Sequence, residues 1–320
     1  MQRDSLRSMK HVTLGTTDLT VSQHILGLMR ITELSASEIR TLVGDAQAEG
    51  IDFFDHADIY GAAGSPDHVC ESLFADALNY TSAQREKMVL QTKCGIRPGY
   101  FDFSAEHILD SVEGSLAALK TDYLDLLLLH RPDALVEPDE VAAAFEQLHS
   151  EGKVRHFGVS NHTPGQIELL KRSVQQPLVV NQIQLSITHA PSITSGLAMN
   201  MAHAEQSVDR HNGVLDYCRL NDITVQAWSP FQAGGTGGVF IGDRENYPEL
   251  NDVLDELAAS YGVTPTAIAA AWITRHPARI QVVLGTTKGS RVREAAAGSE
   301  IELTRPEWYR LLVAGGGIVP

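Results

Sequence analysis

The chain has 320 residues, 43% of them hydrophobic, and a formal charge of −15 from 25 basic and 40 acidic side chains. That is apolar material for one large core or two small ones, and a surface this acidic repels polyanions, which makes nucleic acid and anionic membranes poor partners. Cys70, Cys94 and Cys218 form neither a disulfide framework nor a zinc spacing, the start from Met1 to Met9 lacks an apolar signal core, and no apolar run reaches membrane-spanning length, so the expected setting is a reducing, cytoplasmic one.

Residues 10–22 alternate loosely around Gly15-Thr16-Thr17-Asp18, which predicts an N-terminal β-hairpin. Apolar runs that predict strands follow near 24–28, 51–54, 88–92, 124–129, 155–159, 178–182, 223–227 and 280–284. Helical patterns lie between them. Ser35-Ala36-Ser37-Glu38 is a capping box, with Glu38 able to reach back to the cap. Ile39, Leu42, Val43 and Ala46 then share one face, and Gly50 stops the helix. Ile108, Val112 and Leu119 form a comparable stripe, as do Val141, Phe145 and Leu148 ahead of Gly152. Strands separated by helices pair in parallel, because a parallel return needs a crossover. Eight such units predict an α/β fold, a (β/α)8 TIM barrel forming a single domain over residues 1–320, rather than a doubly wound sheet. Residues 185–212 and 231–247 exceed the alternation and are expected to be long loops at the C-terminal face. The second carries Gly234-Gly235-Thr236-Gly237-Gly238, which does not spell a dinucleotide fingerprint.

Residues near strand ends converge on one mouth of such a barrel. Asp55 and Tyr60 lie in Phe53-Phe54-Asp55-His56-Ala57-Asp58-Ile59-Tyr60-Gly61, Lys93 ends Met88-Val89-Leu90-Gln91-Thr92-Lys93, and His130 ends Leu126-Leu127-Leu128-Leu129-His130. Asp55 and Lys93 are 38 residues apart, Lys93 and His130 37, one strand plus one helix each time. Lys93 is expected to lower the Tyr60 phenol from a pKa of about 10 by roughly 1–3 units. Asp55 holds the lysine charged, and His130 offers a hydrogen bond beside the phenol. The product is a proton donor aimed at a carbonyl oxygen gaining negative charge.

That chemistry also needs a hydride, which a cofactor supplies. Ser160, Asn161 and Gln182, at the ends of the fifth and sixth runs, suit a carboxamide. Trp228, ending the seventh, suits a flat heterocycle. Gly285-Thr286-Thr287-Lys288 leads from the eighth run to Gly289, Ser290 and Arg291, small residues, hydroxyls and cations fit for phosphates. His162, His189, His203 and His211 lack metal-ligand spacing, and no metal is assigned. Two other readings stand beside this one. A Schiff-base aldolase or lyase would use Lys93 as nucleophile, against which Asp55 keeps the amine protonated. A cofactor-binding, redox-sensing subunit would not need the four-residue set intact.

Asp55-x4-Tyr60-Gly61, Thr92-Lys93, His130-Arg131-Pro132, Gly158-Val159-Ser160-Asn161, Asn181-Gln182, Trp228-Ser229-Pro230 and Gly285-Thr286 with Arg291 together resemble the aldo-keto reductase superfamily. Within it, Lys93-Cys94-Gly95, His130-Arg131-Pro132-Asp133 and the segment from Gly152 to Asn161 resemble the bacterial YdhF-like branch. The resemblance implies NADPH-dependent reduction of an aldehyde or ketone, with NAD the less favoured cofactor. It implies Tyr60 as general acid, Lys93 and Asp55 tuning it, and His130 orienting the carbonyl. It implies Ser160, Asn161 and Gln182 on the carboxamide, Trp228 on the nicotinamide, and Ser229, Pro230 and Phe231 along the pyrophosphate. Arg30 would also meet pyrophosphate and Met29 the substrate, while Gly285, Thr286, Thr287, Lys288 and Arg291 would surround the adenosine phosphate. The chain departs from the family pattern at Trp228, commonly Tyr, at Gly285-Thr286, commonly Lys-Ser, and at Glu294-Ala295, commonly Glu-Asn. The implied partner is a small-molecule carbonyl compound, and a monomer is the default state.

Overall fold

The computed structural model describes residues 9–234 and 237–319. Its strands in chain order are β1 (His11–Thr13), β2 (Thr20–Ser22), β3 (His24–Gly27), β4 (Phe53–Asp55), β5 (Val89–Cys94), β6 (Ile96–Arg97), β7 (Tyr100–Phe101), β8 (Leu124–Leu129), β9 (Val154–Ser160), β10 (Leu178–Gln184), β11 (Thr224–Trp228) and β12 (Gln281–Leu284). Eight of them close a parallel barrel in the order β10-β11-β12-β3-β4-β5-β8-β9. Each of the eight strands expected from the apolar runs has its counterpart here. The fold is a (β/α)8 TIM barrel with an N-terminal hairpin.

Strand alternation divides the core in two. Ile25, Phe53, Val89, Leu126, Leu128, Val180 and Val283 turn inward and pack with Val12, Leu14 and Val21 of the hairpin. Leu26, Phe54, Leu90, Leu127, Leu129 and Phe157 turn outward beneath the helices. A strand buried on both faces needs apolar residues in succession, which is why β8 reads Leu-Asp-Leu-Leu-Leu-Leu. The β1–β2 hairpin closes the N-terminal end. Gly15, at φ +53°, lets its backbone press on Val179 where a Cβ would lie 2.6 Å from the valine Cβ, and its N–H donates to Thr224 Oγ1 at 2.7 Å. With that end sealed, the open mouth is at the strands' C-terminal ends.

The helix Ala36–Ala48 begins at the expected box, Ser35 N–H donating to Glu38 Oε2 at 2.8 Å and Glu38 N–H to Ser35 Oγ at 3.3 Å. Two segments differ from expectation. Residues 185–212 carry a helix, Pro191–Leu197, and a 3-10 turn, Glu205–Ser207, because Pro191 at the first helical position is already set for helical φ. The β6–β7 hairpin, just past Lys93, was not expected. It hinges on Gly95 at φ +105°, where a Cβ would fall 2.2 Å from Phe103 Cε1. In 231–247 the chain folds back through an antiparallel bridge between Gln232 and Val239. Gly235 and Thr236 of the glycine run lie outside the described residues, as do residues 1–8. Among the described residues, no helix is long and apolar enough to cross a membrane.

Candidate active site

Asp55 is the last residue of β4 and pairs in register with Gln91 on β5. Lys93 stands two residues further along β5, inside the strand rather than past its end, so it shares the inward face of Gln91 and rises over Asp55. Cys94, the next residue, faces the outer core. The turn after β4 is pinned along β5 by His56 N–H to Gln91 O (2.8 Å) and Asp58 N–H to Lys93 O (3.0 Å), and it delivers Tyr60 to the lysine. Lys93 Nζ donates to both Asp55 oxygens at 2.7 Å, to His56 O at 2.9 Å and to Tyr60 Oη at 2.8 Å. His130 follows β8 directly, its N–H on Cys94 O at 2.9 Å, and its ring meets the Tyr60 ring edge-on with centroids 5.8 Å apart. The four side chains meet.

Their electrostatics differ from expectation in one respect. The phenol of Tyr60 is raised well above its usual pKa, first by burial and then by the Asp55 carboxylate, where a depressed value was expected. The cause lies in the pairing. Asp55 neutralises Lys93, so the ammonium's pull on a phenolate is cancelled and desolvation decides. Burial also lowers Lys93, against the opposing Asp55. His130 lies well below the usual imidazole range through burial, then Lys93, then Arg131, and is neutral at pH 7. Behind the site Asp58 is buried, with Ser111 Oγ donating to it at 2.9 Å, and burial lifts its carboxyl to about 7.

These groups open onto a cavity of about 670 Å³, within the usual size of ligand sites. On one side Ser160 Oγ donates to Gln182 O (2.8 Å), and Asn161 Nδ2 donates to Ser160 Oγ (2.8 Å) and His130 O (3.3 Å). Trp228 Nε1 donates to Asn161 Oδ1 (3.0 Å), which fixes the indole at the end of β11, and the Arg131 guanidinium lies 5.7 Å from its ring. Met29, Ser229, Pro230 and Phe231 continue the wall. At the far end Arg30 Nη1 donates to Gly285 O (3.2 Å), and Thr286 and Arg291 line the cavity where the helix Gly289–Ala296 begins.

The structure places Thr287 and Lys288 outside this lining; Lys288 is exposed ahead of that helix. It adds wall residues that sequence reasoning passed over, namely Gln232, Val239, Ile241 and Thr266, and it brings Glu294 of the Glu294-Ala295 pair to the same wall. It also reveals a buried neighbour of Asp55, Gln91, whose position two residues before Lys93 on a strand was a readable signal. An aromatic floor, an amide cluster and two guanidiniums beside a helix start form a donor set that fits a nicotinamide dinucleotide.

The Aldo/keto reductase family matches residues 23–312. Oxidoreductase YdhF of Escherichia coli (strain K12) is 33% identical, over 96% of this chain and 98% of its own. The 6-dehydroglucose reductase of Agrobacterium fabrum is also 33% identical, over 92% and 94%. The crystal structure of the thermostable aldo-keto reductase Tm1743, in complex with the inhibitor epalrestat, superposes with a TM-score of 0.73 at 23% identity, covering 96% of this chain and all of that one.

Proposed function

This chain belongs to the aldo/keto reductase family, and from that premise we propose that it reduces an aldehyde or ketone to an alcohol with NADPH, Tyr60 acting as general acid. Coarsely, it is an oxidoreductase acting on carbonyls with a nicotinamide cofactor. The observation that carries the finer reading is the 2.8 Å contact between Tyr60 Oη and Lys93 Nζ on the wall of the cavity.

A phenol held above its ordinary pKa stays protonated at neutral pH, so it has a proton to give. Neutral His130, beside it, can donate a second hydrogen bond to the carbonyl oxygen as negative charge gathers there. Once the proton has left Tyr60, the Lys93 ammonium faces the phenolate across 2.8 Å, with Asp55 keeping the lysine in place. A bound reduced nicotinamide supplies the hydride. Ser160, Asn161 and Gln182 would hold its carboxamide and Trp228 its ring. Arg30, Ser229, Pro230 and Phe231 would meet the pyrophosphate, and Gly285, Thr286 and Arg291 the adenosine phosphate. Cations lining the far end favour NADPH over NADH. Lys93 has no free face for a Schiff base: it is fully buried and engaged by Asp55, His56 and Tyr60. The relative named 6-dehydroglucose reductase points to a carbonyl compound bearing sugar hydroxyls, which Arg131 and Gln232 on the wall could meet.

The test is Tyr60→Phe assayed against a panel of aldehydes. Reduction should fall by roughly 10²–10⁴-fold, while NADPH still quenches the tryptophan fluorescence with wild-type affinity. Undiminished turnover would overturn the assignment.

A further inference from the structure

Directly beneath the site, where a barrel of this kind is ordinarily filled by branched apolar residues, lies a ladder of buried glutamines. Gln182 on β10 and Gln226 on β11 are register partners, as are Gln226 and Gln281 on β12. Gln91 comes from β5, diametrically opposite β11 in the strand order. Gln91, Gln226 and Gln281 are all fully buried. The hydrogen bonds leave little freedom. Gln226 Oε1 accepts from Gln91 Nε2 and Gln182 Nε2, both at 2.9 Å, and its Nε2 donates to Gln91 Oε1 and Gln281 Oε1, both at 3.1 Å. Every polar position of Gln226 is used. Gln281 Nε2 ends the ladder on Ser22 O at 2.8 Å.

The upper end of the ladder enters the site. Asp55 Oδ1 accepts from Lys93 Nζ, from Gln91 Nε2 and, at 3.1 Å, from Gln182 Nε2. Both donors of Gln182 are thus committed, one to Asp55 and one to Gln226. Its Oε1 accepts no hydrogen bond from the described residues, and Gln182 lines the cavity. Rotating this amide by half a turn would set its oxygen against the Asp55 carboxylate and the Gln226 carbonyl oxygen, two acceptors with nothing to offer it. In a buried network that mismatch is costly. The amide therefore has one orientation, oxygen toward the cavity, and it calls for a ligand N–H there.

We infer that Gln91 and Gln226 are positioning residues: they fix the Gln182 amide with its oxygen toward the cofactor carboxamide and hold the Asp55 carboxylate against Lys93, so that cofactor grip and proton-donor alignment form one hydrogen-bonded unit. The inference rests on the functional reading above and adds residues that touch neither cofactor nor substrate. Gln281 has the same chemistry lower in the barrel and contacts neither Asp55 nor Gln182, which makes it the internal comparison.

The experiment compares Gln226→Met, Gln91→Glu and Gln281→Met with wild type, reading NADPH affinity by tryptophan fluorescence, the pH profile of kcat, and the thermal midpoint of the protein without cofactor. Gln226→Met should weaken NADPH about tenfold and lower kcat by a similar factor, the size of one lost hydrogen bond to a charged or oriented group. Gln91→Glu sets a second carboxylate against Asp55, so proton uptake by the pair should bring an acid limb into the kcat profile. Gln281→Met should change the midpoint alone. If Gln226→Met does not fold, Gln91→Glu and its pH profile decide the matter. Variants at 226 and 91 that keep wild-type affinity and profile, or a Gln281→Met that matches Gln226→Met in every reading, overturn the inference while leaving the functional reading intact. A wild-type protein that neither binds NADPH nor reduces a carbonyl defeats both.

Discussion

The Lys93 ammonium that touches the Tyr60 hydroxyl at 2.8 Å is already paired with both oxygens of Asp55 at 2.7 Å. A neutralised cation cannot hold a phenolate in the resting site, and burial keeps the phenol protonated far above neutral pH. His130 is likewise kept neutral well below the usual imidazole range. Neither group changes charge near neutrality, so kcat for carbonyl reduction should be level between about pH 6 and pH 9. Steady-state rates across that range check it. A basic limb centred below pH 9 would show a phenol depressed by the lysine after all.

Lys93→Met should cost more than activity. The pair is wholly buried, with Lys93 at 0% and Asp55 at 2% side-chain exposure. Removing one partner leaves an unpaired carboxylate in the barrel, a loss of about 3–5 kcal/mol. The double variant Asp55→Asn with Lys93→Met should recover much of that stability and none of the turnover. Urea unfolding of Lys93→Met, Asp55→Asn and the double variant tests the coupling. If the double variant is as unstable as the sum of the singles, the two side chains act independently.

Arg291→Ala should separate the two cofactors. The guanidinium lines the far end of the cavity and makes no ion pair among the described residues, whereas its helix neighbour Arg293 is held by Asp45 at 2.9 Å. Loss of a charge-assisted bond to the adenosine phosphate is worth about 1.5–3 kcal/mol, or roughly 10–100-fold in the NADPH dissociation constant. NADH, lacking that phosphate, should be little affected. Equal weakening of both in a fluorescence titration would place Arg291 elsewhere on the cofactor.

The fold was legible because a parallel barrel writes its strands as short apolar runs and its helices as 3.6-residue stripes. Spacing alone brought Asp55, Lys93 and His130 to one mouth. The direction of the Tyr60 shift was not legible, since it turns on whether Asp55 cancels Lys93, and sequence does not give distances. The ladder was missed for a related reason. A glutamine at 91, 226 or 281 inside an apolar run reads as an exception, and only the closed barrel shows that the exceptions face one another across its axis. Lys288, a cation beside a phosphate motif, reads as a ligand from sequence; the structure leaves it exposed at the start of the helix Gly289–Ala296, outside the cavity lining.

The pH dependence of stability follows from buried groups that oppose each other. Burial lowers His24, His56 and His162 from 6.5 to about 4. Their folded forms are depressed below the unfolded value, so the stability they contribute is present above pH 6.5 and is lost as pH falls toward 4. Asp58 has the other sign. Its folded pKa is raised from 3.8 to about 7, so its contribution is intact below the unfolded value and is lost as pH rises through 7. Three histidines outweigh one aspartate, and net stability should rise between about pH 4 and pH 6.5. Asp58→Asn removes the opposing member and keeps an acceptor for Ser111. It should raise stability at pH 8 by an amount on the order of a few kcal/mol and leave it nearly unchanged at about pH 4. Urea midpoints of wild type and variant at the two pH values give the answer, and a gain of equal size at both would show that Asp58 is ionised in the folded protein throughout.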